Sequence, residues 1–154
     1  MENLKKTVEV LNDLVKINND RIAGYQKALE NLPDMDTDLK QLFNQFIDQS
    51  EELKADLLAH LGGWDGQSAS KTTMPGKIYR VWMDFKVIFA VNDRKALLEA
   101  CEYGEDAAQK AYRVAEQETD ILPASRALVT DQKVKLLESH DLAKKLRDRE
   151  KAEA

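Results

Sequence analysis

One cysteine, three prolines and six glycines are spread over 154 residues. Cys101 has no second cysteine to pair with, which excludes an internal disulfide, and there are no cysteine pairs for zinc or an iron–sulfur cluster. Such sparse punctuation favours a few long helices over many short strands. No apolar run approaches the roughly 20 residues that span a bilayer. The opening MENLKKTVEV lacks the apolar centre of a signal peptide, so a cytoplasmic setting is expected. An excess of one charge is also missing. The formal charge is −5, with acids and bases interleaved throughout, which argues against nucleic acid or an anionic membrane as partner. The basic end AKKLRDREKAEA alternates with acids, as a solvated helix end does.

What is present is an apolar pattern of helical period. With 43% hydrophobic and 33% charged residues, the chain is long enough for one well-formed core and one domain, 1–154. Leu4, Val8, Leu11, Val15, Ile22, Tyr25, Leu29 and Leu32 predict a first helix over about 3–32, stopped by Pro33. Asp36 or Thr37 caps a second, over 37–61, buried through Leu39, Phe43, Phe46, Leu53, Leu57 and Leu61. Gly62-Gly63 ends it through a left-handed backbone, and His60 in its last turn complements the helix dipole. After the polar stretch GGWDGQSASKTT, Ile78, Trp82, Phe85 and Phe89 mark a short helix over 75–90. A helix over 93–118 turns small residues inward at Leu97, Cys101, Gly104, Ala108, Ala111 and Ala115. The last, over 123–149, follows Leu128, Val129, Leu136, Leu137, Ala143 and Leu146.

Short connections make the first and second long helices antiparallel, and likewise the last two. Roughly thirty residues separate the pairs, against the two to eight usual between adjacent bundle helices. The expected fold is all-α: a ferritin-like four-helix bundle with a long crossover that carries the short helix. A simple up-and-down bundle with a decorated loop is the alternative.

Each buried stripe is interrupted near mid-helix, by Asn18, by Ser50, by Gly104 flanked by Glu102 and Glu105, and by His140 in KLLESHD. Buried polar groups without partners cost about 1 to 3 kcal/mol, so they gather where they can bond one another. Asn18, Tyr25, Ser50 and His140 are therefore expected to form a polar core layer. A dinuclear iron or manganese centre needs a Glu from each of two helices and a Glu-x-x-His pair from each of the others. Here Leu137 stands three residues before His140, so that pattern fails, and Glu102, Glu105 and His140 are left as a reduced metal-ligand set. No serine or cysteine nucleophile has a local partner, and LGGWDG does not form a phosphate loop. Trp82, Phe85 and Phe89 are expected in the core or, where the chain leaves them uncovered, in a homodimer interface.

RVWMDFKV, LLEACEYGEDAAQKAY, LPASRALV and ESHD, in that order after LNDLVKINNDRIAGYQKA, resemble over nearly the whole chain the bacterial family called domain of unknown function 2383. The resemblance implies a ferritin-like bundle and a structural or site role for Trp82, Asp84, Glu102, Gly104, Glu105, Asp106, Tyr112 and His140. Without the Glu-x-x-His pair, iron storage and peroxidase chemistry are not expected. The function read from the sequence is a non-enzymatic bundle with a degenerate metal site and no resident cofactor, serving a stress-related or scaffolding role with a protein partner as yet unknown. The alternatives are an iron- or manganese-binding protein with an atypical carboxylate and histidine site, or a module that takes a small apolar ligand or partner helix beside Gly104 and Ala108.

Overall fold

The computed structural model describes residues 2–33, 36–62, 76–84 and 94–153. Five helices follow in order, α1 (Glu2–Asn31), α2 (Thr37–Leu61), α3 (Lys77–Asp84), α4 (Arg94–Glu116) and α5 (Pro123–Glu153), with no strand among the described residues. At 1.5 Å per residue the longest reach about 45 Å. None is long and apolar enough to cross a membrane.

Side-chain pairs fix the direction of each helix. Arg21 meets Ser50 while Tyr25 meets Phe43, so α1 and α2 are antiparallel. Gln132 reaches Leu53 while Ser139 reaches Gln49, which makes α2 and α5 antiparallel. The pairs Tyr112–Gln132 and Glu102–Arg147 do the same for α4 and α5. Asn18–Tyr112 and Arg21–Glu105 close the ring between α1 and α4. Consequently α2 and α4 point the same way from opposite corners, and the chain between them has to return along the bundle. Part of that return is α3, which runs parallel to α1. Gly76 and Tyr79 sit at Asp13, and Trp82 sits at Asp20.

The docking of α3 explains why the first half of α1 is buried on more than one stripe. Asp13, Leu14 and Ile17 are inaccessible together with Leu11 and Val15. The Asp13 carboxylate accepts the amides of Gly76 (2.9 Å) and Tyr79 (3.1 Å), so a side chain of α1 caps the start of α3. Burial pushes the Asp13 pKa up, and the two amides only partly offset it. Gly76 is needed because a Cβ there would lie 2.4 Å from Asp13 Oδ2.

Several local expectations are corrected. Gly62 ends α2 with right-handed backbone angles, φ −62° and ψ −17°, and its amide still reaches Leu58 O. Asp36 precedes α2 without a side-chain capping bond, because its carboxylate is taken by Arg94. Leu137 is exposed, because the buried face of α5 follows Val129, Leu136 and Ala143. Beyond Gly62, the crossover stretch GGWDGQSASKTT lies outside the described residues.

The apolar core divides in two. One cluster holds Leu11, Leu14, Ile17, Leu53, Leu57, Ala108, Ala111, Val129 and Leu136. The other holds Tyr25, Ala28, Phe43, Phe46, Leu97, Cys101 and Ala143. On every long helix the two are separated by a turn or more of sequence, and in that gap lies a belt of buried polar side chains.

Candidate functional site

The belt is built on Arg21 and Glu105, whose side chains are each 3% exposed. Arg21 Nε donates to Glu105 Oε2 and Nη2 to Oε1, both at 2.9 Å. This parallel fork is the strongest ion-pair geometry that side chains offer. Nη1 donates to Ser50 Oγ at 2.7 Å and to Phe46 O at 3.2 Å. The guanidinium also lies over the rings of Tyr25 and Phe46. Burial works against the Arg21 charge, but the Glu105 carboxylate outweighs it and its pKa rises.

Tyr25 Oη donates to Glu105 Oε2 at 2.9 Å and lies 3.2 Å from Cys101 Sγ. With its one proton given to Glu105, the phenol oxygen accepts from the thiol. Burial pushes the Cys101 pKa up to about 12, Glu105 adding to the rise, so this sulfur stays protonated. Tyr25 is likewise held neutral, first by burial.

A second chain of bonds crosses all four long helices. Asn18 Nδ2 donates to Tyr112 Oη (2.9 Å), Tyr112 Oη to Gln132 Oε1 (2.8 Å), and Gln132 Nε2 to Leu53 O (3.0 Å). These side chains are nearly or wholly buried.

His140 stands at the height of the belt but outside it, which corrects its expected place beside Asn18, Tyr25 and Ser50. It occupies the outer seam of α4 and α5, where Nε2 contacts Asp106 Oδ1 and lies 4.0 Å from Glu102 Oε1. Its Nδ1 is 3.2 Å from Asp141 Oδ1. Partial burial pulls its pKa down, but the bonds to Asp141 and Asp106 outweigh this and raise it. Arg147 Nη1 is 3.0 Å from Glu102 Oε2.

Because both oxygens of Glu105 face Arg21, the expected trio of Glu102, Glu105 and His140 is not assembled. Asp106, one helical turn beyond Glu102, stands in its place, and one ligand atom from each of Glu102, Asp106 and His140 falls within 4.8 Å of the others. Trp82 is buried, with its indole N–H on Asp20 at 3.0 Å, so it is not available to a second chain. Phe85, Phe89 and the side chain of Asp84 lie outside the described residues.

A family model described as Domain of unknown function (DUF2383) matches residues 6–118. The chain belongs to this family. None of the curated proteins searched matches it. The DUF2383 match takes in Asn18, Arg21, Tyr25, Ser50, Glu102, Glu105, Asp106 and Tyr112, and it stops before α5, so LPASRALV, Gln132 and ESHD are outside it.

Arg21 and Gln132 are the buried polar residues of these networks that the sequence pattern did not show. Arg21 lies three residues after Asn18 and four before Tyr25, a position on the buried stripe. Ile22 beside it fits the apolar series, which hides that signal.

Proposed function

We propose that this protein is a non-catalytic, ferritin-like four-helix scaffold whose mid-height cation position is filled by its own arginine. The carrying observation is the buried fork in which Arg21 donates to both oxygens of Glu105. The ferritin-like assignment is supported by two antiparallel hairpins, with α2 and α4 parallel and a return along α1. A dinuclear centre needs several carboxylates and imidazoles from all four helices. Here α1 supplies Asn18 and Arg21, α2 Ser50, α4 Glu105 and α5 Gln132. The single carboxylate is already neutralised, and a second cation beside the guanidinium would be repelled. These residues do not fit a dinuclear iron or manganese centre, and no chemical step is derived through one.

The reading is tested by mixing the purified protein with ferrous iron and oxygen and following ferric absorbance. Oxidation no faster than in buffer supports the scaffold, and catalytic turnover overturns it. Self-association as a homodimer belongs to the same proposal, supported by Val134, Leu137 and Leu142, which α5 leaves exposed. Sedimentation at the mass of one 17.5 kDa chain would remove that part.

A further inference from the structure

We propose that Glu102, Asp106 and His140 form a mononuclear site for a divalent transition-metal ion on the outer seam of α4 and α5. Glu102 and Asp106 are spaced i, i+4, so their carboxylates leave one face of α4 a turn apart. His140 reaches them from the facing helix, and the three ligand atoms lie within 4.8 Å of one another. Around zinc, with bonds of about 2.0 to 2.2 Å, tetrahedral ligand atoms sit about 3.3 Å apart. Glu102 Oε1, 4.0 Å from Nε2, has to close slightly, and Asp106 Oδ1, now in contact with Nε2, has to part from it to admit the ion. The Asp106 side chain is 54% exposed and has room to rotate.

The surroundings orient the ligands as metal sites do. Asp141 Oδ1 lies 3.2 Å from His140 Nδ1, so an Nδ1–H donated to it would leave Nε2 to the ion, which takes the place of the proton now shared between Nε2 and Asp106. A carboxylate behind a ligating histidine fixes its tautomer and raises its basicity. Arg147 holds Glu102 Oε2 and leaves Oε1 facing His140. Glu102, Asp106 and Asp141 bring three carboxylates to one imidazole and one guanidinium, so the seam carries unbalanced negative charge even with His140 protonated. One nitrogen and two oxygen donors, with solvent able to complete the shell, suit zinc or manganese rather than a soft thiophilic ion. The site is separate from the core belt, because Glu105 takes no part in it.

The experiment is a calorimetric titration of the chelator-stripped full chain with zinc chloride. The expected result is one ion per chain, with affinity reduced at least tenfold in Asp106→Asn and in His140→Gln, and 10- to 100-fold in Asp141→Asn. Circular dichroism of each variant should match the parent, since these side chains lie on the rim. His60→Ala, at the only other histidine, should bind as the parent does. Absence of uptake, several weak ions per chain that every variant retains, or a loss in His60→Ala without one in His140→Gln would each overturn the assignment. Ferrous oxidation without a one-to-one zinc site would instead overturn both proposals.

Discussion

Replacing Arg21 with methionine keeps most of the side-chain volume and removes the charge. Glu105 would then be a carboxylate with 3% exposure, retaining one bond from Tyr25 and losing two from the guanidinium. Breaking a buried pair from one side costs about 3 to 5 kcal/mol, because an uncompensated charge stays behind. Ser50 limits the damage, since its hydroxyl can turn to the carbonyl of Phe46 four residues back. For a chain of this size the loss corresponds to about 6 to 20 °C in Tm. Urea unfolding followed by far-ultraviolet ellipticity measures it directly. The double variant Arg21→Met with Glu105→Gln removes both charges and keeps an acceptor for Tyr25, so it should recover half the loss or more. A single-variant cost below about 1 kcal/mol, or a double variant no more stable than the single, would refute the reasoning.

Gly76→Ala places a Cβ 2.4 Å from Asp13 Oδ2 and 2.7 Å from Glu9 Cγ. Asp13 is anchored by the two α3 amides and cannot turn away without losing them, so a loss of about 1 to 3 kcal/mol in urea unfolding is expected. Parent-like stability would show that α3 docks by other means. Glu116 accepts Lys133 Nζ and Thr130 Oγ1, both at 2.7 Å, and these bonds, Lys133 first, lower its pKa below the ordinary 4.5. Its folded value lies under its unfolded one, so the stabilisation is complete above about pH 4.5 and is lost as pH falls through the lowered value. Glu116→Gln should flatten that acid limb of the stability curve, and an unchanged limb would remove Glu116 from its cause.

The helices were legible because their apolar periods are long and seldom broken. The observed bounds of α2, Thr37–Leu61, coincide with those the pattern implies. The return of the chain along the bundle was legible from the length of the connection alone. The covering of α1 by α3 was not. Asp13 and Leu14 lie off the apolar series that marks α1, and only the docking of Gly76 and α3 shows why they are interior. The polar belt was half visible for a similar reason. Asn18 and Ser50 interrupt their stripes, whereas Arg21 stands next to Ile22 and mimics the edge of a solvated face. Long cationic side chains usually snorkel outward, and nothing local says that a carboxylate waits 84 positions later in the chain. His140 shows the reverse error. Its height was readable, but its azimuth was not, because Leu136 and Leu137 are both apolar and only Leu136 is buried.

That distinction matters for what the belt does. The closest packing is within each hairpin, α1 on α2 and α4 on α5, where short connections already set the register. Between hairpins, along α1 with α4 and α2 with α5, apolar contact is non-directional, and a slide by one helical turn of about 5.4 Å would still pair apolar with apolar side chains. The same slide would separate Arg21 from Glu105, Asn18 from Tyr112 and Gln132 from Leu53 O, each joining one hairpin to the other. A buried charge pair adds little net stability over apolar packing, but it penalises every register in which it is broken. In a bundle with small inward residues at Ala108, Ala111 and Ala115, where side-chain shape gives little resistance to sliding, that penalty selects one offset of the two hairpins. The seam trio does not depend on that offset, because Glu102, Asp106 and His140 all belong to the α4–α5 hairpin.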